Sequence, residues 1–339
     1  MTGKDIEQIL TEITLRTDET VRLGPITARL TSDLEKPSFL GILSRTAHVP
    51  SCHEPDFELF CLRGDNFSVH KKELSGLVDS SSRARYFMQG YYTIGHFGPA
   101  IHLISRGRRL YVVGTSLERV VWPYLVKRIM LEYAVDRGMT LLKGGAFLIG
   151  SGATLVIGHR GAGKTVFLTW MCRHGARFVS NSLLLVNRGR VTGVASLMRI
   201  RPGPTLEALT AQVQQSPGLA DGEFVVDPED LFVVASPDPT PVRNLCFVDF
   251  SPRSSNQLEV LDKQRALDLA EQFALGINVY HLAEDLLDLR GGEVPRFAAD
   301  YAAQKAQLAH LVASCRNFHI RSDVTDPAQR QDLFDLLGG

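Results

Sequence analysis

Residues 158–165 read Gly158-His159-Arg160-Gly161-Ala162-Gly163-Lys164-Thr165 and match G-x-x-x-x-G-K-[ST]. Before them lies an apolar run, Ala153-Thr-Leu-Val-Ile157, with the character of a buried strand. After them, Val166–Cys172 has the character of the first turns of a helix closed by Gly175. A motif match gains weight from such a strand–loop–helix setting, which disfavours a glycine-rich turn that spells the motif by chance. Each position has a physical use. Gly158, Gly161 and Gly163 let the backbone turn tightly and aim N–H groups at phosphate oxygens. The following helix presents its positive end to the same anion. Lys164 would reach the β- and γ-phosphates and the Thr165 hydroxyl would ligate Mg²⁺. Gly158 through Val166 is therefore the candidate site for ATP, with GTP also admitted, because the residues that read the base lie outside the motif.

The rest of the chain narrows the partners. Its 339 residues are enough for two domains, and 44% hydrophobic residues can build a sizeable core. Lys+Arg equals Asp+Glu at 37 each, which argues against a nucleic-acid-coating role and against attraction to an anionic membrane. Five cysteines, Cys52, Cys61, Cys172, Cys246 and Cys315, form no C-x-x-C pair, so neither zinc nor a disulfide framework is expected. With no apolar run near 18 residues and no signal-peptide pattern in MTGKDIEQILTEI, a cytoplasmic protein is expected.

Three regions follow from periodicity. Residues 1–116 read as a β-rich N-terminal domain, with Ile6, Ile9, Leu10 and Ile13 on one face of a short leading helix. Its strands are expected at Thr20–Leu23, Ile26–Leu30, Phe57–Leu62, Phe67–His70, Arg85–Met88, Ala100–Ile104 and Leu110–Val113, several alternating as half-buried antiparallel strands do. Residues 117–138 read as a connecting helix, with Pro123 in its first turn and Gly138 at its end. Residues 139–339 read as the nucleotide domain. It opens with Leu141–Ile149 and Ala153–Ile157 as a hairpin, an antiparallel strand directly before the phosphate loop. A long strand at Arg177–Val186, a turn at Asn187–Arg190 and a further strand at Val191–Ile200 follow. Thr205–Gln215 looks helical, and 216–242, rich in Pro, Asp and Gly, resembles a lid-like connection. Asn244–Phe250 is an apolar strand, 262–275, 278–289 and 295–314 are helical, Arg316–Arg321 is a strand and Pro327–Leu337 a helix.

Phosphoryl transfer wants a carboxylate for the metal, a group to handle the acceptor and cations for the developing charge. Asp249 ends the run Leu245-Cys-Phe-Val248 as a Walker-B acid does, and fits an ordinary strand-end acid equally well. Asp221, Glu223, Asp227, Glu229 and Asp230 would reach the site only if a lid closed. Arg199 and Arg201 flank Ile200, and alternation sets both on one face, as a phosphate clamp or as exposed edge-strand arginines. Arg160 and His159, at variable loop positions, either touch phosphate or face water.

The strand-turn-strand into the loop, the helix, the strand with a short polar triplet, and a second strand ending in Arg199-Ile-Arg201-Pro-Gly together resemble the HPr kinase/phosphorylase C-terminal domain and its relatives over about residues 139–290. The resemblance implies an α/β fold with a P-loop domain of the HPr-kinase/PEP-carboxykinase-like type. It also implies an ATP·Mg²⁺-dependent phosphotransferase acting on a hydroxyl of a peptide, protein or small molecule, with a tendency to form homo-oligomers. Two departures stand out. Where the family has His before a small residue this chain has Lys143-Gly144, and where the family has V-A-D-D it has Val179-Ser180-Asn181-Ser182. Asn181 and Ser182 would line the acceptor side, yet neither is a base near neutral pH, and both are weaker Mg²⁺ ligands than a carboxylate. A kinase whose base sits elsewhere, Asp249 included, a kinase of a strongly nucleophilic acceptor, and a catalytically weak nucleotide-binding partner protein all remain open at this point.

Overall fold

The structure is a computed structural model that describes residues 6–37, 39–50, 54–63, 102–114, 117, 121–159, 161–200, 206, 224–274 and 293–339. The chain is mixed α/β and divides into two compact units, Met1–Met130 and Leu131–Gly339.

In the first unit a short helix α1 (Ile6–Leu10) precedes β1 (Thr17–Leu23), β2 (Ile26–Ser32), β3 (His48–Val49), β4 (Phe57–Arg63), β5 (His102–Arg106) and β6 (Arg109–Gly114). They form one sheet in the order β3-β1-β2-β4-β6-β5. The expectation of antiparallel strands needs correction here. β1 and β2 form an antiparallel hairpin, but β2 pairs β4 in parallel and β4 pairs β6 in parallel. The alternation seen in sequence reports one buried and one open face, not strand direction. Ile9 and Leu10 pack on Leu62, Tyr111 and Val113. Phe60 stacks on Tyr111 at 4.8 Å. Glu7 accepts from Tyr111 Oη and from Arg109 Nη1, and the tyrosine hydrogen bond leads in holding its carboxyl below the usual range. The strands expected at Phe67–His70 and Arg85–Met88 lie outside the described residues.

A π-helical turn at Val121–Val126 leads into α2 (Lys127–Asp136), which ends at left-handed Gly138. Beyond it come β7 (Thr140–Lys143), β8 (Gly145–Ile149), β9 (Gly152–Ile157), α3 (Lys164–Arg173), β10 (Arg177–Ser180), β11 (Leu183–Asn187), β12 (Arg190–Gly193), β13 (Met198–Ile200), β14 (Phe224–Val226), β15 (Thr240–Phe250), β16 (Gln257–Val260), α4 (Lys263–Glu271), α5 (Val294–Ser314), β17 (Arg316–Ser322) and α6 (Pro327–Gly338). The main sheet runs β10-β8-β9-β15-β12-β11-β7, with β17 beside β15 and β16 beside β17. β9, β15 and β17 are mutually parallel; the apolar runs of β9 and β15 are buried on both faces, as strands inside an α/β sheet require, and β17 buries Phe318 and Ile320 on one. One face packs Leu155, Ile157, Leu245 and Phe247 under α4 and α5. The other packs Val156, Cys246 and Val248 under α3 and α6. Asp262 caps α4 by accepting from Arg265 N at 2.9 Å, and Asp326 caps α6 by accepting from Gln329 N at 2.9 Å.

Several expected elements are subdivided. The hairpin before the loop is present as β8–β9, but the expected strand 141–149 breaks at Gly144, so β7 pairs β11 while β8 pairs β9 and β10. The expected strand 177–186 breaks at Asn181–Ser182 into β10 and β11. The two breaks face each other, with Gly144 N donating to Ser182 O at 3.1 Å. At this corner β7 goes to β11 and β8 to β10. The turn at 187–190 has Arg188 and Gly189 at positive φ, as a tight hairpin demands. The expected strand 191–200 is two strands, β12 in the main sheet and β13 in a separate ribbon with β14. In 216–242 the described part, 224–239, is not a free lid. Phe178 N donates to Val233 O and Ala235 N to Phe178 O, and Pro228 and Phe232 are buried. Thr205–Gln215 (apart from Leu206) and 278–289 fall outside the described residues.

Candidate functional site

The loop leaves the carboxyl end of β9 between two neighbours that fix its path. Gly161 and Gly163 are left-handed, at φ 89° and 80°. A Cβ at Gly158 would stand 2.8 Å from Val248 O, and one at Gly163 would fall inside the Phe250 side chain. Both glycines are therefore required by contact with the tip of β15, and Phe250 N donates to Ala162 O at 2.9 Å to seal it. Gly163 is the N-cap of α3 and no side chain caps that end, so the first-turn N–H groups keep their capacity for an anion. Lys164 Nζ donates to Gly158 O at 2.7 Å and to His159 O at 2.8 Å, lying across the loop it would serve. The described loop residues would suit a phosphate chain in helix polarity and in the position of the lysine.

The polar triplet stands at the corner beside Gly144. Asn181 Nδ2 donates to Leu197 O at 3.2 Å and its Oδ1 accepts from Ser196 Oγ at 2.8 Å. Ser196 Oγ is 3.1 Å from Ser182 Oγ, and Ser180 Oγ donates to Leu183 O and Val194 O. These bonds tie the β10–β11 break to the segment that leads into β13. Register places the corner at the loop's end of the sheet, because Gly145 pairs Val156 and Gly144 therefore lies against Ile157. Sequence reading missed Ser196, which carries no motif of its own.

Asp249 sits at the tip of β15, half-exposed, and its Oδ2 is 3.0 Å from His319 Nε2 on β17. The other ring nitrogen of His319 is 3.7 Å from Glu259, which in turn pairs with Arg265. By alternation Asp249 leaves the face of Leu245 and Phe247, whereas Thr165 belongs to α3 on the opposite face. The two candidate metal ligands therefore lie on opposite faces of the loop end of the sheet, with Asp249 engaged by His319. They are hard oxygen donors suited to Mg²⁺, which takes one or two protein ligands and completes its shell with phosphate and water. Among the described residues no group of three or more His, Cys, Asp or Glu side chains is arranged to hold a metal ion by itself. His319 was also missed. Its signal was a polar side chain in alternation with buried Phe318 and Ile320.

Arg199 is exposed on β13 between buried Met198 and Ile200, and Ile200 packs with Val166 of the first turn of α3. The ribbon thus stands beside the loop helix. Arg160, Arg201, Asp221 and Glu223 lie outside the described residues. Asp227 caps the turn Pro228–Asp230 by accepting from Glu229 N at 3.2 Å. Burial pushes the thiols of Cys61, Cys172, Cys246 and Cys315 up, so none is primed as a nucleophile. No helix among the described residues is long and apolar enough to cross a membrane. No protein-family model and no curated protein matches the sequence.

Proposed function

We propose that the chain is an ATP-dependent phosphotransferase of the HPr-kinase/PEP-carboxykinase-like type, acting with Mg²⁺ on a hydroxyl of a peptide, protein or small-molecule acceptor. The observation that supports the reading is the close packing of Gly158 and Gly163 on β15, which fixes both ends of the loop. In this reading Lys164 neutralises the transferring group, Thr165 and Asp249 hold the metal, and Arg199 steadies charge. Asn181 and Ser182 shape the acceptor side without acting as bases. Such a division is workable because phosphoryl transfer rests on positioning and electrostatics. Among the described residues Cys61, Cys172, Cys246 and Cys315 are free, and a cytoplasmic setting belongs to this reading.

A second reading, a catalytically weak nucleotide-binding partner protein, is favoured by one observation: both ends of the Asn181 amide are already engaged within the fold. The test is incubation with γ-labelled ATP and Mg²⁺, with and without candidate peptide, protein and small-molecule acceptors. Label on an acceptor supports the transferase. Saturable nucleotide uptake with the label never leaving ATP supports the partner protein and removes the transferase.

A further inference from the structure

We propose that His159 is the proton acceptor of the transfer, an inference that rests on the phosphotransferase reading above. His159 is the first residue of the loop after Gly158, and its carbonyl accepts from Nζ of Lys164, the lysine that would reach the terminal phosphates in this reading. Its side chain is exposed, yet its ring is held against the Phe273 ring at 5.2 Å and 55°. Phe273 is itself anchored: its carbonyl accepts from Lys143 N at 2.8 Å, and its neighbour Ala274 bridges Leu142. The imidazole thus stands against a residue whose backbone meets β7 one residue before Gly144, the corner that carries Ser182.

The other groups there have other tasks in this reading. Asn181 and Ser182 have no basicity to offer, and Asp249, beside His319, is given to the metal. Of the charged groups nearby, Lys164 of α3 donates to the His159 carbonyl, Lys143 on β7 donates its N–H to the Phe273 carbonyl, and Glu271 of α4 pairs Lys305 at 3.0 Å. Imidazole is the side chain most often used for general-base catalysis.

In the step, a lone pair of the acceptor oxygen forms a bond to the γ-phosphorus. The bond from that phosphorus to the β–γ bridging oxygen breaks, and its electron pair leaves on the diphosphate. The acceptor's proton passes to the free nitrogen of His159 and from there to water. With water as the acceptor the products are ADP and inorganic phosphate, so the acceptor need not be identified for the test.

The experiment measures Mg·ATP affinity by calorimetry and phosphate release over pH for the full-length protein and for His159→Gln, His159→Asn and His159→Ala. His174→Gln, at the far end of α3, serves as the control. The expected result is affinity within about threefold of wild type and release slowed by about 100-fold or more in all three His159 variants. The acid limb of the wild-type profile should vanish in His159→Gln, added imidazole should restore part of the rate in His159→Ala, and the control should behave as wild type. Wild-type rate and an unchanged pH profile in His159→Gln would overturn the inference. Nucleotide uptake by the wild type with no phosphate release overturns it too, and leaves nucleotide binding standing. No nucleotide uptake by the wild type removes the reading on which it rests.

Discussion

At Gly163 the backbone is left-handed and lies so close to Phe250 that no side chain fits. At Asn181, on the same end of the sheet, the side chain does the holding, with one amide end on Leu197 O and the other on Ser196. The cradle is made of backbone shape and the corner of side-chain hydrogen bonds. Backbone shape imposes a residue type that is visible in any sequence. A hydrogen-bonded corner can be built from many polar residues, and its partners are far apart in the chain.

This contrast can be broken by substitution, and the largest effect is expected at the cradle. Gly163→Val must distort a left-handed position and displace Phe250 together, so a loss of about 3 kcal/mol or more is expected. Denaturant unfolding checks it, and a loss below about 1 kcal/mol would show that the loop yields easily.

Asn181→Asp sharpens the comparison from the other side. The substitution replaces a donor aimed at Leu197 O with a carboxylate oxygen, and a loss of about 1–3 kcal/mol is expected, with no gain in turnover. The folded state then favours the protonated acid, so its pKa is raised. The loss should be full above that raised value and shrink as pH falls through it. Unfolding series at several pH values check the slope. A variant as stable as wild type, with faster transfer, would make Asn181 a catalytic position and not a tie.

A smaller effect is expected at Asp323, which supports the same sheet end from below. Burial acts to raise its carboxyl, but hydrogen bonds from Thr325 Oγ1 and from the N–H groups of Arg253 and Thr325 outweigh it and leave the group below its ordinary value. The stabilisation is therefore present above the unfolded value and is lost as pH falls through the folded one. Asp323→Asn should cost about 1–2 kcal/mol near neutral pH and progressively less in acid. A cost that does not change with pH would remove the charge from the explanation.

The sequence made the cradle legible because three glycines and a lysine at fixed spacing have few other uses. The apolar strands β9 and β15 were legible for the same kind of reason. Strand direction in the first unit was not, since alternation is the same for parallel and antiparallel partners when one face is open. The breaks at Gly144 and at Asn181–Ser182 were hidden because each interrupts a run whose residues favour extension on both sides. The Asp249–His319 pair joins residues on separate strands, and no local pattern announces that contact.

The central claim is that the loop binds a nucleoside triphosphate, and titration calorimetry of Mg·ATP into wild type and Lys164→Ala tests it most directly. One-site binding with Kd near or below about 100 μM is expected for the wild type and none for Lys164→Ala. A flat trace for the wild type with both ATP and GTP, or equal binding by the variant, would contradict it.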